Sequence, residues 1–208
     1  MEQCLLSPAG FGTVELIEKR SRFIGRVWPV WSGAEAQRRI AETRAEYHDA
    51  RHNCWCYIAG GTSRFSDDGE PQGTAGAPML EVFRREGVTY FCCVVTRYFG
   101  GVLLGAGGLA RMYVSTAKQA LMSAGISEYE LFERVKFQCA YGFFEKVKAT
   151  VTAAGGILED VTFGADILIV AQIPSAAGQG FIDRLQDLSS GEIAAARIGE
   201  SIYHLRRK

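Results

Sequence analysis

Two histidines and two cysteines lie close together in the first third of the chain, in the segment His48-Asp-Ala-Arg51-His52-Asn-Cys54-Trp-Cys56. These residue types are ligands of zinc, but zinc motifs usually place two to four residues between paired cysteines in a turn. A Cys-x-Cys pair on a strand instead puts both thiols on one face, and no second ligand pair follows at the expected distance. We therefore expect buried thiols, no metal and no cofactor.

Three carboxylates follow in a loop, where Asp67, Asp68 and Glu70 lie within four positions. Magnesium and calcium prefer such oxygen ligands, but the alternating acids of a calcium-binding EF-hand are missing. One interpretation is a turn in which aspartates accept hydrogen bonds from backbone amides. The alternative is a metal-assisted or acid–base hydrolase that uses these carboxylates with His48. Glycine and proline throughout residues 64–78 predict a loop with a defined shape.

A glycine-rich stretch between two arginines is the third motif. The residues of this stretch that could contact a ligand are Arg97, Tyr98, Gly100, Gly101 and Arg111. Residues 105–110 formally match a dinucleotide fingerprint, but no strand with a terminal acid completes the βαβ unit. A glycine turn that opens a helix still presents free amides to an anion, such as an RNA phosphate. The alternative is close packing that only glycine permits.

Hydrophobic periodicity predicts the elements that position these motifs. Strands are expected at about 13–19, 22–30, 53–59, 88–99, 135–141, 157–163, 167–173 and 192–198. Helices are expected at about 32–47, 78–86, 108–124 and 142–154, with a last one opening at 174. Residues 88–99 are apolar on both faces and predict a buried central strand. The fold class is α+β, with domains at 1–134 and 135–208, and the second domain has the β-α-β-β-α-β order of ferredoxin-like folds.

Composition limits the possible partners. Lys plus Arg and Asp plus Glu are both 23, so the net charge is zero and any nucleic-acid contact must be a local patch. Neither a secretory signal nor an 18-residue apolar run is visible in the sequence. We expect six reduced cysteines, a cytoplasmic location and no membrane contact.

Several strings of this sequence, taken together and in order, resemble the IMPACT family, including its YigZ-like bacterial members. These strings lie at 18–24, 48–54, 65–71, 73–76 and 97–109. The resemblance implies a first domain like domain IV of elongation factor G and a second like domain V. Both are modules that meet RNA or ribosomal surfaces, and eukaryotic family members regulate translation.

The resemblance implies a translation-linked regulatory binding protein rather than an enzyme. Its expected partner is RNA, the ribosome or a translation-associated protein, and a protein–protein adaptor without nucleic-acid contact is the further alternative. The expected contacts come from His48, Arg51, His52, Asp67, Asp68, Glu70, Arg97, Tyr98, Gly100, Gly101 and Arg111.

Overall fold

The computed structural model describes residues 4–204, so the basic tail at 206–208 lies outside the described residues. The chain forms two compact units. One is residues 6–127, and the other, within the described residues, is 128–204 together with residues 4 and 5. The structural division thus follows Ser127, whereas the predicted boundary after residue 134 falls inside a long strand, Ile126–Cys139.

The unit of residues 6–127 is built on an antiparallel sheet of five strands, which are β2 (Gly12–Glu18), β3 (Ser21–Pro29), β4 (His52–Ala59), β5 (Thr62–Ser66) and β6 (Phe91–Tyr98). They lie in the order β2-β3-β6-β4-β5. β5 corrects the prediction of a loop from residue 64. It is an edge strand with mostly exposed side chains, so it has no apolar alternation that a sequence pattern could show.

Helices cover both faces of this sheet. They are α1 (Gly33–Glu46), α2 (Gly76–Arg85) and α3 (Gly105–Ala124). Phe91, Cys93 and Val95 of β6 belong to the core that includes α2 and α3. Cys92 and Val94 belong to the core that includes α1. The prediction that β6 is a central strand buried on both faces is confirmed.

The N-termini of α1 and α3 differ in how well the sequence predicts where the helix begins. The Ser32 Oγ accepts a hydrogen bond from the Glu35 amide at 3.2 Å and so caps α1, in agreement with the helix expected from about residue 32. α3 begins at Gly105, three residues before the predicted start. Its first turn holds Gly105, Gly107 and Gly108, and glycine has a low helix propensity, so the pattern placed the start too late.

The second unit has the ferredoxin-like arrangement. Its elements are β7 (Ile126–Cys139), α4 (Phe144–Ala153), β8 (Ile157–Phe163), β9 (Ile167–Pro174), α5 (Gly178–Leu188) and β10 (Ala195–His204). The strands pair antiparallel in the order β10-β7-β9-β8, and β1 (Cys4–Pro8) also joins this sheet at β7. β7 and β10 are both longer than predicted. The α+β class and the β-α-β-β-α-β order are confirmed, while the likeness to elongation factor G stays a prediction.

No helix among residues 4–204 combines the length and the hydropathy that crossing a membrane requires.

Candidate functional site

The three motifs of the first unit meet around one cavity of about 360 Å³, here called the α3 cavity. Its walls come from the start of β4, the loop after β5, the end of β6 and the N-terminus of α3. The lining residues are Arg51, His52, Gly69, Glu70, Pro71, Arg97, Phe99, Leu103, Leu104, Gly105, Ala106 and Leu109. Residues far apart in the chain therefore share one surface.

A buried ion pair lies in the wall of this cavity. Arg97 Nη1 donates a hydrogen bond to Glu70 Oε1 at 2.6 Å, and the Tyr113 hydroxyl donates to the same oxygen at 2.8 Å. The side chains of Arg97 and Glu70 are 6% and 2% exposed. Burial is the main reason that the pKa of Tyr113 lies well above its usual range, so its hydroxyl stays protonated and can donate. Two donors thus compensate the buried carboxylate.

His52 connects the ion pair to the acidic loop. Its Nδ1 lies 2.8 Å from the carbonyl oxygen of Asp68, which can only accept, so Nδ1 carries a hydrogen. The other ring nitrogen, Nε2, lies 3.9 Å from Glu70 Oε1. Arg51 precedes it and is exposed at the cavity surface.

Asp67 organises the loop itself. Its Oδ1 accepts hydrogen bonds from the amides of Ala75 and Gly76 at 3.0 and 2.8 Å, and its Oδ2 accepts one from Gly73 at 2.8 Å. The amides of Ala75 and Gly76 lie at the N-terminus of α2, where a carboxylate is favoured. The interpretation of Asp67 as a turn-forming residue that bonds backbone amides describes this geometry.

Asp68 ties the same loop to β4 and α1. Its Oδ2 accepts from the Asn53 amide at 2.7 Å, and its Oδ1 pairs with Arg44 Nη2 at 2.5 Å. The Cys54 thiol donates to the Asp67 carbonyl at 2.9 Å. Burial holds the pKa of Cys54 well above its usual range, so the thiol is not a nucleophile at neutral pH.

Tyr98 does not belong to the α3 cavity. Successive side chains of a strand point to opposite faces, so Tyr98 and Arg97 separate. The Tyr98 hydroxyl donates to Asp49 Oδ1 at 2.6 Å, and this bond raises the pKa of Tyr98 to about 12. The Arg22 guanidinium lies 5.4 Å from the Tyr98 ring centre and also pairs with Glu15.

The remaining predicted contacts lie outside the cavity lining. His48 and Arg111 are exposed, and neither lines the cavity. Gly100 is a packing position, because a Cβ there would lie 2.1 Å from the backbone carbon of Arg20. Gly101 has a φ of +85°, a left-handed value that favours glycine.

In the part of the chain that the structure describes, no group of three or more His, Cys, Asp or Glu side chains is placed to hold a metal ion. Five cysteines are buried free thiols, namely Cys54, Cys56, Cys92, Cys93 and Cys139.

Sequence reasoning missed Phe99, Leu103 and Tyr113. Tyr113 lies in the helix expected at about 108–124, and its side chain is fully buried. A buried tyrosine hydroxyl needs a hydrogen-bond partner, so this residue was a signal for a polar group in the core.

Comparison with known proteins places the two units in known families. The Impact N-terminal domain matches residues 19–121, and a domain of unknown function, DUF1949, matches residues 137–192. IMPACT family member YigZ of Escherichia coli (strain K12) is 36% identical over 206 residues, which is 96% of this chain and all of the relative. The chain belongs to the IMPACT family.

A second relative and a solved structure each match this chain over most of its length. YvyE of Bacillus subtilis (strain 168) is 32% identical over 92% of this chain and 89% of the relative. A crystal structure described as that of a hypothetical protein is 34% identical, covers 95% of this chain and 98% of its own, and has a TM-score of 0.70. The family resemblance predicted from the motifs is confirmed, and the α3 cavity lies wholly inside the matched N-terminal domain.

Proposed function

We propose that this IMPACT family member is a translation-linked regulatory binding protein whose N-terminal unit contacts structured RNA, free or on the ribosome. The observation that carries the proposal is the composition of the α3 cavity. The loop carboxylates are turned to internal partners, while the accessible groups are the Arg51 guanidinium, the first amides of α3 and the rings and methyl groups of Phe99 and Leu103.

These accessible groups suit the two parts of an RNA chain. Guanidinium groups and helix N-terminal amides bind phosphate oxygens. An exposed aromatic ring provides a platform for an unpaired base, and Phe99 is 43% exposed. A neutral protein can still bind RNA when its cationic groups lie beside such a ring.

We propose binding rather than hydrolysis for the same surface. All three carboxylates accept hydrogen bonds from protein groups. Asp67 accepts them from backbone amides, Asp68 from the Asn53 amide and the Arg44 guanidinium, and Glu70 from Arg97 and Tyr113. His48 is exposed and does not line the cavity. The four groups of the hydrolase alternative therefore have separate surroundings, and a general base must be within reach of its substrate.

The experiment is an RNA titration of the full chain with an Arg51→Gln variant. Fluorescence anisotropy with a labelled RNA hairpin carrying an unpaired loop should show affinity that falls steeply between about 50 and 200 mM salt. Arg51→Gln should weaken binding and reduce the salt slope by about one, since one phosphate contact is lost. Arg64→Gln is the matched control, because Arg64 is an exposed arginine outside the cavity lining.

Undetectable RNA binding at low salt, or equal losses in the Arg51 and Arg64 variants, would reject this function. The protein–protein adaptor would then be the better proposal. A pull-down from the native cytoplasm, with and without ribonuclease, would identify that partner.

A further inference from the structure

We propose that the α3 cavity is a binding site for a phosphate monoester joined to an apolar or planar body. The phosphate lies at the N-terminus of α3 beside Arg97, and the carbon body lies against Phe99 and Leu103. This inference deepens the proposed function and rests on it, since the same groups would receive a terminal phosphate of RNA. The ligand is either a small organic phosphate or such an RNA end.

The N-terminus of α3 is open to an anion. The helix is 20 residues long, its N-cap Leu104 makes no side-chain cap bond, and no acidic residue lies in its first turn. The first amides of a helix have no intrahelical acceptor, and the helix dipole adds positive potential there. Gly105 and Ala106 line the cavity. No described group accepts a hydrogen bond from either amide.

Arg97 is the second and independent observation. It is 5% exposed and lines the cavity, yet within the described residues Nη1 is the guanidinium nitrogen that donates to an acceptor, Glu70. Its Nε is buried without a partner. A guanidinium has five N–H donors in a fixed fork that matches phosphate geometry. The rings of Phe23 and Phe99 lie 5.5 and 5.6 Å from the guanidinium carbon and hold it in place.

The charge and the size of the cavity favour a small anion. Its lining carries two guanidinium groups, on Arg51 and Arg97, against the single carboxylate of Glu70, so the arginines and the carboxylate sum to a formal charge of +1. The bonded oxygen of Glu70 already accepts from Arg97 and Tyr113. A volume of about 360 Å³ lies at the lower end of the range for small-molecule sites.

The apolar wall distinguishes an organic phosphate from a free phosphate ion. Leu103 is 82% exposed and Phe99 is 43% exposed, and Leu104, Leu109 and Pro71 continue the same lining. A phosphate ion would leave these groups in water. A planar or apolar body would cover them, and removal of apolar surface from water is favourable.

The first measurement titrates the full chain with inorganic phosphate, phenyl phosphate and phenol, followed by backbone amide shifts in nuclear magnetic resonance. Phenyl phosphate should bind roughly tenfold more tightly than inorganic phosphate, because its ring gains apolar burial. The amide signals of Gly105 and Ala106 should shift most. Phenol should bind most weakly, because it lacks the anion.

Two variants test the assignment of the phosphate. Glu70→Gln keeps an oxygen for Tyr113 but removes the negative charge, so phenyl phosphate should bind more tightly. Glu70→Gln combined with Arg97→Gln leaves no unpaired buried charge and removes the guanidinium, so binding should be lost. Urea unfolding checks that both variants fold, and Arg64→Gln is the control that should bind as the parent does.

A third comparison separates the two sources of the phosphate. RNA of one sequence is offered with a 5′-phosphate or a 5′-hydroxyl end. A preference for the phosphorylated end, abolished in the double variant, assigns the site to RNA termini. Tight phenyl phosphate binding without that preference assigns it to a free organic phosphate. Either result supports the site.

The site is wrong if phenyl phosphate binds no more tightly than inorganic phosphate, or if a folded Glu70→Gln variant loses binding as completely as the double variant. In that case an Arg51-dependent, salt-sensitive affinity for the RNA hairpin would still support the proposed function. Conversely, phenyl phosphate binding without hairpin binding would reject the proposed function and keep the site.

Discussion

Replacing Asp67 by alanine tests whether this carboxylate is structural. Asp67 accepts hydrogen bonds from the amides of Gly73, Ala75 and Gly76. Ala75 and Gly76 are buried, whereas Gly73 is exposed, so water can replace only the bond to Gly73. Each buried amide left without an acceptor costs about 1–3 kcal/mol, so Asp67→Ala should lower the free energy of unfolding by about 2–6 kcal/mol.

Asp67→Asn sharpens the test because it keeps one acceptor oxygen. That oxygen can still bond the amides of Ala75 and Gly76, while the charge at the N-terminus of α2 is lost. We expect the free energy of unfolding to fall by about 1–2 kcal/mol. This value lies between the usual effect of a charge at a helix terminus and the contribution of one hydrogen bond to a charged group. The assay is urea unfolding followed by far-ultraviolet circular dichroism. Glu86→Ala, which removes an exposed carboxylate, should change stability by less than about 0.5 kcal/mol.

A change below about 0.5 kcal/mol in Asp67→Ala would refute this reasoning, because that value is typical of a surface carboxylate without a structural role. Asp67 would then again be a candidate for contact with a ligand. A large loss in the alanine variant with an intermediate loss in the asparagine variant is the ordering that the three amide bonds require.

Three further predictions concern the neighbouring residues. Gly100→Ala should lower the free energy of unfolding in urea more than Gly101→Ala does. A Cβ at Gly100 would lie 2.1 Å from a backbone atom. A Cβ at Gly101 would meet open space, so alanine there is opposed only by the φ of +85°, which costs about 1–2 kcal/mol. Tyr98 should titrate in near-ultraviolet absorbance with a pKa of about 12, and Asp49→Asn should lower it. Its folded-state pKa is raised, so its contribution to stability is present below the ordinary pKa of 10 and is lost as the pH rises through about 12. Thiol reagents should react slowly with the buried Cys54, Cys56, Cys92, Cys93 and Cys139 of the native protein, and should count six thiols after denaturation.

The sequence predicted the elements whose signals are local. The strand Phe91–Tyr98 is apolar at consecutive positions, which is how a strand covered on both faces differs from an edge strand. Serine followed three residues later by glutamate is a local helix-start signal, and at Ser32 and Glu35 the corresponding amide bond is present at the start of α1. β5 and the first nine residues of β7 carried no comparable signal, because edge or mixed exposure removes the apolar period.

The candidate site was predicted as separate motifs but not as one arrangement. Glu70 lies 27 positions from Arg97 and 43 from Tyr113, and such contacts depend on strand order and helix placement. Arg97 and Tyr98 were expected to form one surface, yet the alternation of β6 sends them to opposite faces. That separation was available from the strand prediction alone, since neighbouring residues of a strand cannot share a face.

Burying the Arg97–Glu70 pair costs desolvation free energy, so a contribution to folding stability does not by itself explain why the pair is present. Replacing a buried ion pair by apolar residues of similar volume is often neutral or stabilising, because desolvation offsets the attraction between the charges. The surrounding core is rich in apolar side chains, so an uncharged arrangement would fit its composition. The pair nevertheless lies beside a cavity where a guanidinium has unused donors and a helix has free amides. A ligand that uses those donors gives the buried arginine a role that its contribution to folding does not supply.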